Sequence, residues 1–143
     1  RMALRKFPVL IRACWFGLNH HFSRRISYLP ITTVQYTVLR TLFDFSPKKL
    51  SQRELSTLIV SNKNNLSSII KRLQQLKYIE LSENRNDKRE NHISLSKRGK
   101  KIFLLGRKEA ISLQKKLMSN FSKDDINSIY EYLECINKKI PRN

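Results

Sequence analysis

Apolar residues fall on helical stripes along most of this chain. From Pro8 to Ile26, Ile11, Cys14, Trp15, Leu18, Phe22 and Ile26 recur at spacings of three and four, which predicts one amphipathic helix ending before Pro30. Thr32-Thr33-Val34-Gln35 has the form of a capping box. It opens a second helix with Val34, Val38, Leu39 and Leu42 on its core face, closed by Ser46-Pro47. Ser51-Gln52-Arg53-Glu54 repeats the signal and starts a short third helix carrying Leu55, Leu58 and Ile59. After a break at Val60-Ser61-Asn62, a fourth helix gathers Leu66, Ile69, Ile70, Leu73 and Leu76 within about 120° of arc. Its other face then carries Asn64, Ser67, Ser68, Lys71, Arg72 and Gln75.

Beyond that helix the period shortens to two. Ile79-Glu80-Leu81 and His92-Ile93-Ser94-Leu95 read as two half-buried strands, joined by a loop with Arg85-Asn86-Asp87-Lys88-Arg89 at its tip. Ser96 caps a fifth helix through Ile102, Leu105, Leu113 and Leu117. Ser122, with Asp124 and Asp125 complementing the helix dipole, starts a sixth through Ile126, Ile129, Leu133, Ile136 and Ile140. Helix, helix and β-ribbon in this order predict a mainly α chain with a small β-hairpin wing (α+β). The expected architecture is a winged helix-turn-helix at 30–96, flanked by dimerisation helices at 1–29 and 97–143. The flanking stripes exceed what the central module can cover, so the expectation is a twofold homodimer in which they pair between subunits.

Charge sharpens the choice of partner. The chain carries 29 Lys and Arg against 11 Asp and Glu, a formal +18, which favours a polyanion. The excess is +6 over residues 1–47, +9 over 48–101 and +3 over 102–143, so it centres on the hairpin module. Two distant cysteines, Cys14 and Cys135, suggest neither a disulfide framework nor a metal site and fit a reducing cytosol. No apolar run reaches the roughly 20 residues of a membrane span. A cytoplasmic protein without membrane or cofactor is expected, and the three histidines lack the spacing of a catalytic or metal site.

The chemistry lies on the fourth helix and the loop tip. A helix fits the major groove, where base edges carry a distinct donor and acceptor code. Lys63, Asn64, Asn65, Ser67 and Ser68 supply hydrogen bonds there, with Lys71 and Arg72 near phosphate; the plain alternative is a solvated polar face. At the tip, Arg85, Lys88 and Arg89 suit phosphate or the minor groove, and Asp87 suits a brace that orients a neighbouring arginine. Ser51 and Gln52 are phosphate candidates. Lys97, Arg98, Lys100 and Lys101 crowd a helix start, where cations oppose the dipole; phosphate or water offsets this.

From Ile31 to Ile102 the chain resembles the MarR family of bacterial transcription regulators. Ile31-Thr32-Thr33-Val34-Gln35-Tyr36 with Leu39 matches its "LTxxQYxVL", and Leu50-Ser51-Gln52-Arg53-Glu54-Leu55 matches its "LSQxEL". Leu66 through Leu73 fits the recognition helix, Asn86-Asp87-Lys88-Arg89 the "DxR" of the wing, and Ile93-Ser94-Leu95-Ser96-Lys97-Arg98-Gly99 the "VxLTxxG". Phe121-Ser122-Lys123-Asp124-Asp125 resembles the "LSxEE" that opens its last helix. The resemblance implies a DNA-binding homodimer, expected to repress, that reads a pseudo-palindrome with half-sites ~34–36 Å apart. It also implies that Arg89 enters the minor groove with Asp87 as its brace. Two departures stand out: Lys77 replaces a usual Gly after the fourth helix, and Ser68 replaces a common basic residue.

Such proteins often bind an aromatic ligand beside the dimer helices, and the resemblance offers Trp15, Phe16, His20, Tyr36 and Arg40 as a candidate pocket that would release DNA. The structural alternative is that these aromatics are core. Redox sensing at Cys14 and general, charge-driven nucleic-acid binding are the competing readings. A specificity ratio separates the latter from a regulator.

Overall fold

Both capping boxes form. In this computed structural model, which describes residues 2–59, 63–83 and 90–142 and only the backbone at 63 and 64, the Thr32 hydroxyl accepts from the Gln35 amide at 3.1 Å. The Gln35 side-chain oxygen accepts from the Thr32 amide at 2.9 Å. Ser51 and Glu54 make the same reciprocal pair at 3.1 and 3.2 Å. Each box satisfies donors that a bare helix start leaves orphaned.

After a short 3-10 turn at Met2–Leu4, the elements follow in order as α1 (Phe7–Arg25), α2 (Thr33–Phe45), β1 (Leu50–Ser51), α3 (Gln52–Ile59) and α4 (Lys63–Gln75). Then come β2 (Ile79–Glu83), β3 (Asn91–Leu95), α5 (Lys97–Leu117) and α6 (Lys123–Lys139). The antiparallel sheet has the order β1-β3-β2, with Leu50 opposite Ile93 and Ile79 opposite Leu95. Two expectations are corrected here. The hairpin pairs as far as Glu83 opposite Asn91, so its strands are longer and its loop shorter than the alternation alone suggested. A third strand, β1, joins the hairpin; two residues are too few to show a period.

Contacts divide the chain into two units, residues 1–109 and 110–143, with the division inside α5. In the first unit Val38, Leu39, Leu50, Leu55, Leu66, Leu73 and Ile93 are essentially inaccessible. They join α2, α3, α4 and the sheet into one core, and burial of each such side chain contributes about 1.5–3 kcal/mol before conformational entropy is counted. A second cluster is aromatic. Tyr36 packs edge-on against Phe22 at 4.8 Å and stacks on Phe103 at 5.4 Å, and Phe43 lies 4.7 Å from Phe103. Gly106 of α5 makes this possible, because a Cβ there would stand 2.7 Å from the Tyr36 ring.

By contrast, α1 has no buried residue, and Val9, Leu10, Ile11, Trp15, Phe16 and Leu18 are all exposed. Pro8 sits in its first turn, where the missing amide hydrogen costs nothing. In the second unit α6 is likewise without a buried residue, and it starts with a Ser122–Asp125 capping box. Gln114 donates to the Tyr130 hydroxyl at 2.8 Å, joining the end of α5 to α6.

Candidate nucleic-acid interface

Helix α4 is presented by α3 on one side and the sheet on the other. Leu66, Ile70 and Leu73 are buried, which turns Asn65, Ser67, Ser68, Lys71 and Arg72 outward; all five are exposed. The side chains of Lys63 and Asn64 lie outside the described residues, as do Arg85, Asp87, Lys88 and Arg89 at the wing tip. What is described of the wing is its base, the β2–β3 ladder, where Arg53 Nε of α3 stands 3.9 Å from the Glu90 carboxylate.

The far end of α4 is closed by a full left-handed cap. Lys77 has φ of 63°, the Tyr78 amide donates to the Leu73 carbonyl at 3.0 Å and the Lys77 amide to the Gln74 carbonyl at 3.0 Å. This is the Schellman pattern, made with a lysine where glycine would be unstrained; the Cβ makes the left-handed conformation cost about 1 kcal/mol. The cap aims the chain into β2, so it sets the angle between helix and wing.

Ser51 does not fit the phosphate role expected of it. Its side chain accepts from the Glu54 amide and the residue is 3% exposed, so Ser51 is a cap residue. Gln52 is half-buried and donates through Nε2 to Ser67 Oγ at 2.9 Å, a link across the helix-turn-helix that periodicity could not reveal. Glu54 is held below the usual carboxylate range by the Ser51 amide and then by Lys48, whose Nζ lies 3.1 Å away. Lys97 is exposed at the start of α5, and the Arg98 guanidinium lies over the Tyr78 ring at 5.4 Å, an attraction that offsets part of its unfavourable place in the dipole.

Of the five residues of the candidate ligand pocket, four are exposed and one is buried. Trp15 and Phe16 are 62% and 56% exposed, and His20 and Arg40 are exposed, whereas Tyr36 is 5% exposed within the aromatic cluster. Burial raises the Tyr36 phenol above its usual pKa, and the positive charges of Arg40 and Arg107 oppose that shift. Cys14 and Cys135 are exposed free thiols. Among the described residues no cluster of three or more His, Cys, Asp or Glu is placed to hold a metal ion, and no helix is long and apolar enough to cross a membrane.

A helix-turn-helix followed by a β-ribbon defines a winged helix-turn-helix, here with the polar face of α4 turned outward. Residues 29–90 match the model of the MarR family. The fold of the chain is that of MarR-type regulators. A cysteine-to-serine mutant of MarR from E. coli complexed with operator DNA superposes with a TM-score of 0.79 at 22% identity, over 89% of this chain and 90% of that one. MepR of S. aureus in a complex with DNA gives 0.86 at 17% identity, over 94% and 98%. A MarR-family transcriptional regulator from Rhodococcus sp. gives 0.81 at 10% identity, over 90% of each chain. A search of curated protein sequences gives no match.

Proposed function

We propose that this chain is a transcription regulator that binds double-stranded DNA sequence-specifically as a homodimer. The observation that carries the reading is the exposed polar face of α4, held by a buried apolar face and capped into a paired wing. In this reading α4 enters the major groove, its outward residues meet base edges, and Lys71, Arg72, Lys88 and Arg85 meet phosphate. Arg89 enters the adjacent minor groove with Asp87 beside it, as the wing motif implies. Gln52 lies at the rim and acts through Ser67, while Lys97 reaches phosphate beside the wing.

The unpartnered apolar faces of α1 and α6 support the dimer, since such surface is normally covered by a second subunit. Two α4 helices related by a twofold axis would meet half-sites of a pseudo-palindrome. Repression follows where that site overlaps a promoter, in the bacterial cytoplasm where the DNA lies. Release by a small aromatic ligand belongs to the same reading, with Trp15 and Phe16 contributing once a second subunit encloses them.

Selection of bound duplexes from genomic fragments, followed by titration at moderate salt, tests this. The selected site should bind at least about a hundredfold more tightly than random duplex. Equal affinities would leave only charge-driven binding, the alternative that +18 by itself supports. Sedimentation that finds a stable monomer at micromolar concentration would remove the paired half-sites.

A further inference from the structure

Two neighbouring serines on the outward face of α4 have opposite hydrogen-bonding partners. Ser67 Oγ accepts from Gln52 Nε2 at 2.9 Å. Ser68 Oγ donates to the main-chain carbonyl of Asn65 at 3.0 Å. Both side chains are exposed. A hydroxyl has one proton and two lone pairs, so each partner decides what remains. Ser67 accepts and donates to no acceptor among the described residues, so its proton is left to give there, and accepting a hydrogen bond polarises the O–H into a better donor. Ser68 has spent its proton on its own helix and offers lone pairs.

We propose that Gln52 and the Asn65 carbonyl set the polarity with which α4 reads base edges: Ser67 as a donor, Ser68 as an acceptor. This rests on the reading of α4 as the major-groove helix. In that groove guanine O6 and thymine O4 accept, whereas adenine N6 and cytosine N4 donate. Ser67 therefore favours a keto base at the edge it meets, and Ser68 an amino base. The two are separated by about 100° around the helix axis and so meet different base positions. Phosphate oxygens only accept, so Ser68 in this state has no proton for them; its natural partner is a base amino group. Gln52 is thus a positioning residue for specificity, acting from α3 through a hydroxyl on α4.

The test uses this chain and a randomised duplex pool, with base preferences read by sequencing the bound fraction. Ser67→Ala and Ser68→Ala mark the base pairs that each serine meets. At the Ser67 position the unmodified chain should prefer guanine or thymine over adenine or cytosine by about three- to tenfold, the scale of one net hydrogen bond. Gln52→Leu should shrink that preference. Gln52→Glu should invert it, because a carboxylate only accepts and Ser67 would turn its proton inward. The added negative charge lowers affinity for all sequences alike and leaves this ratio readable.

Neither variant touches the Ser51–Glu54 capping box, and thermal unfolding checks that each remains folded. A keto preference that survives Gln52→Glu, or a selected motif that Ser67→Ala and Ser68→Ala leave unchanged, overturns the proposal while DNA reading stands. A pool from which the unmodified chain enriches no motif overturns both.

Discussion

The Ser96 hydroxyl donates to the main-chain carbonyl of Lys77 at 2.7 Å, joining the residue that ends α4 to the residue that starts α5. The same hydroxyl accepts from the Gly99 amide at 3.0 Å, and the Ser96 amide donates to the Tyr78 carbonyl at 3.1 Å. One serine thus caps α5 and clamps it to the exit of α4. The end of α4 and the start of α5 are held as one joint.

Gly99 is the tightest point of that joint. A Cβ there would stand 2.0 Å from the Tyr78 carbonyl oxygen, with no flexible side chain to give way. Gly99→Ala should destabilise the protein by about 1–3 kcal/mol through forced backbone displacement, and Ser96→Ala by about 1 kcal/mol through loss of the cap. Denaturant unfolding measures both. An unchanged midpoint for Gly99→Ala would show that α5 can part from β2 freely.

Lys77 offers the opposite experiment. Its φ of 63° places a Cβ where glycine would carry none, so Lys77→Gly should stabilise the protein by about 1 kcal/mol, with the Schellman bonds unaltered. Lys77→Ala keeps the strain and should gain nothing. Equal midpoints for the glycine and alanine variants would contradict the assignment of strain to this residue.

The Glu54 carboxyl, with its pKa lowered by the Ser51 amide and by Lys48, predicts a pH dependence. Its folded pKa lies below the unfolded one, so the unfolded chain binds the proton more readily. The contribution is fully present above the unfolded pKa and is lost as pH falls through the folded value. Glu54→Gln should flatten that part of the stability profile between neutral and acid pH. The effect is modest because the side chain is 40% exposed and solvent screens the ion pair. Identical slopes in the two proteins would assign the acid sensitivity elsewhere.

On the DNA side, Arg89→Ala should weaken binding to the selected operator by about 1–3 kcal/mol with little change in thermal stability. Anisotropy titration and a melting curve on the same sample separate the two quantities. Operator affinity that is indifferent to the substitution would take the wing arginine out of the mechanism.

Local order was legible because it is made by local rules. Thr32 with Gln35, Ser51 with Glu54 and Ser122 with Asp125 announce helix starts within four residues, and each pair forms as a capping box. Stripes at three and four separated the dry face of α4 from its polar face, and the order of motifs pointed to the winged module that residues 29–90 match. The strained position at Lys77 was also foreseeable, since glycine is the residue that a left-handed cap prefers.

Where the reading faltered, the deciding contacts were distant in sequence. Ser51 looked like a phosphate ligand by its place in a motif, yet pairing of β1 with β3, which sets Ser51 opposite His92, leaves it buried, with its hydroxyl turned to the Glu54 amide as a cap. Tyr36 looked like part of a ligand pocket, yet Phe22 and Phe103, one from α1 and one from α5, close around it. β1 has no periodicity to detect and exists only because β3 arrives to pair with it.

The chain by itself determined which faces are apolar, where helices begin and that a basic hairpin follows two short helices, because propensity, capping and period act over a few residues. Only the tertiary structure decided what each polar group is joined to. Gln52 meets Ser67 across a turn and Ser96 meets Lys77 across the hairpin, because packing brings together groups that are 15 and 19 residues apart. Hydrogen-bond polarity on α4 and the joint between α4 and α5 are properties of that packing.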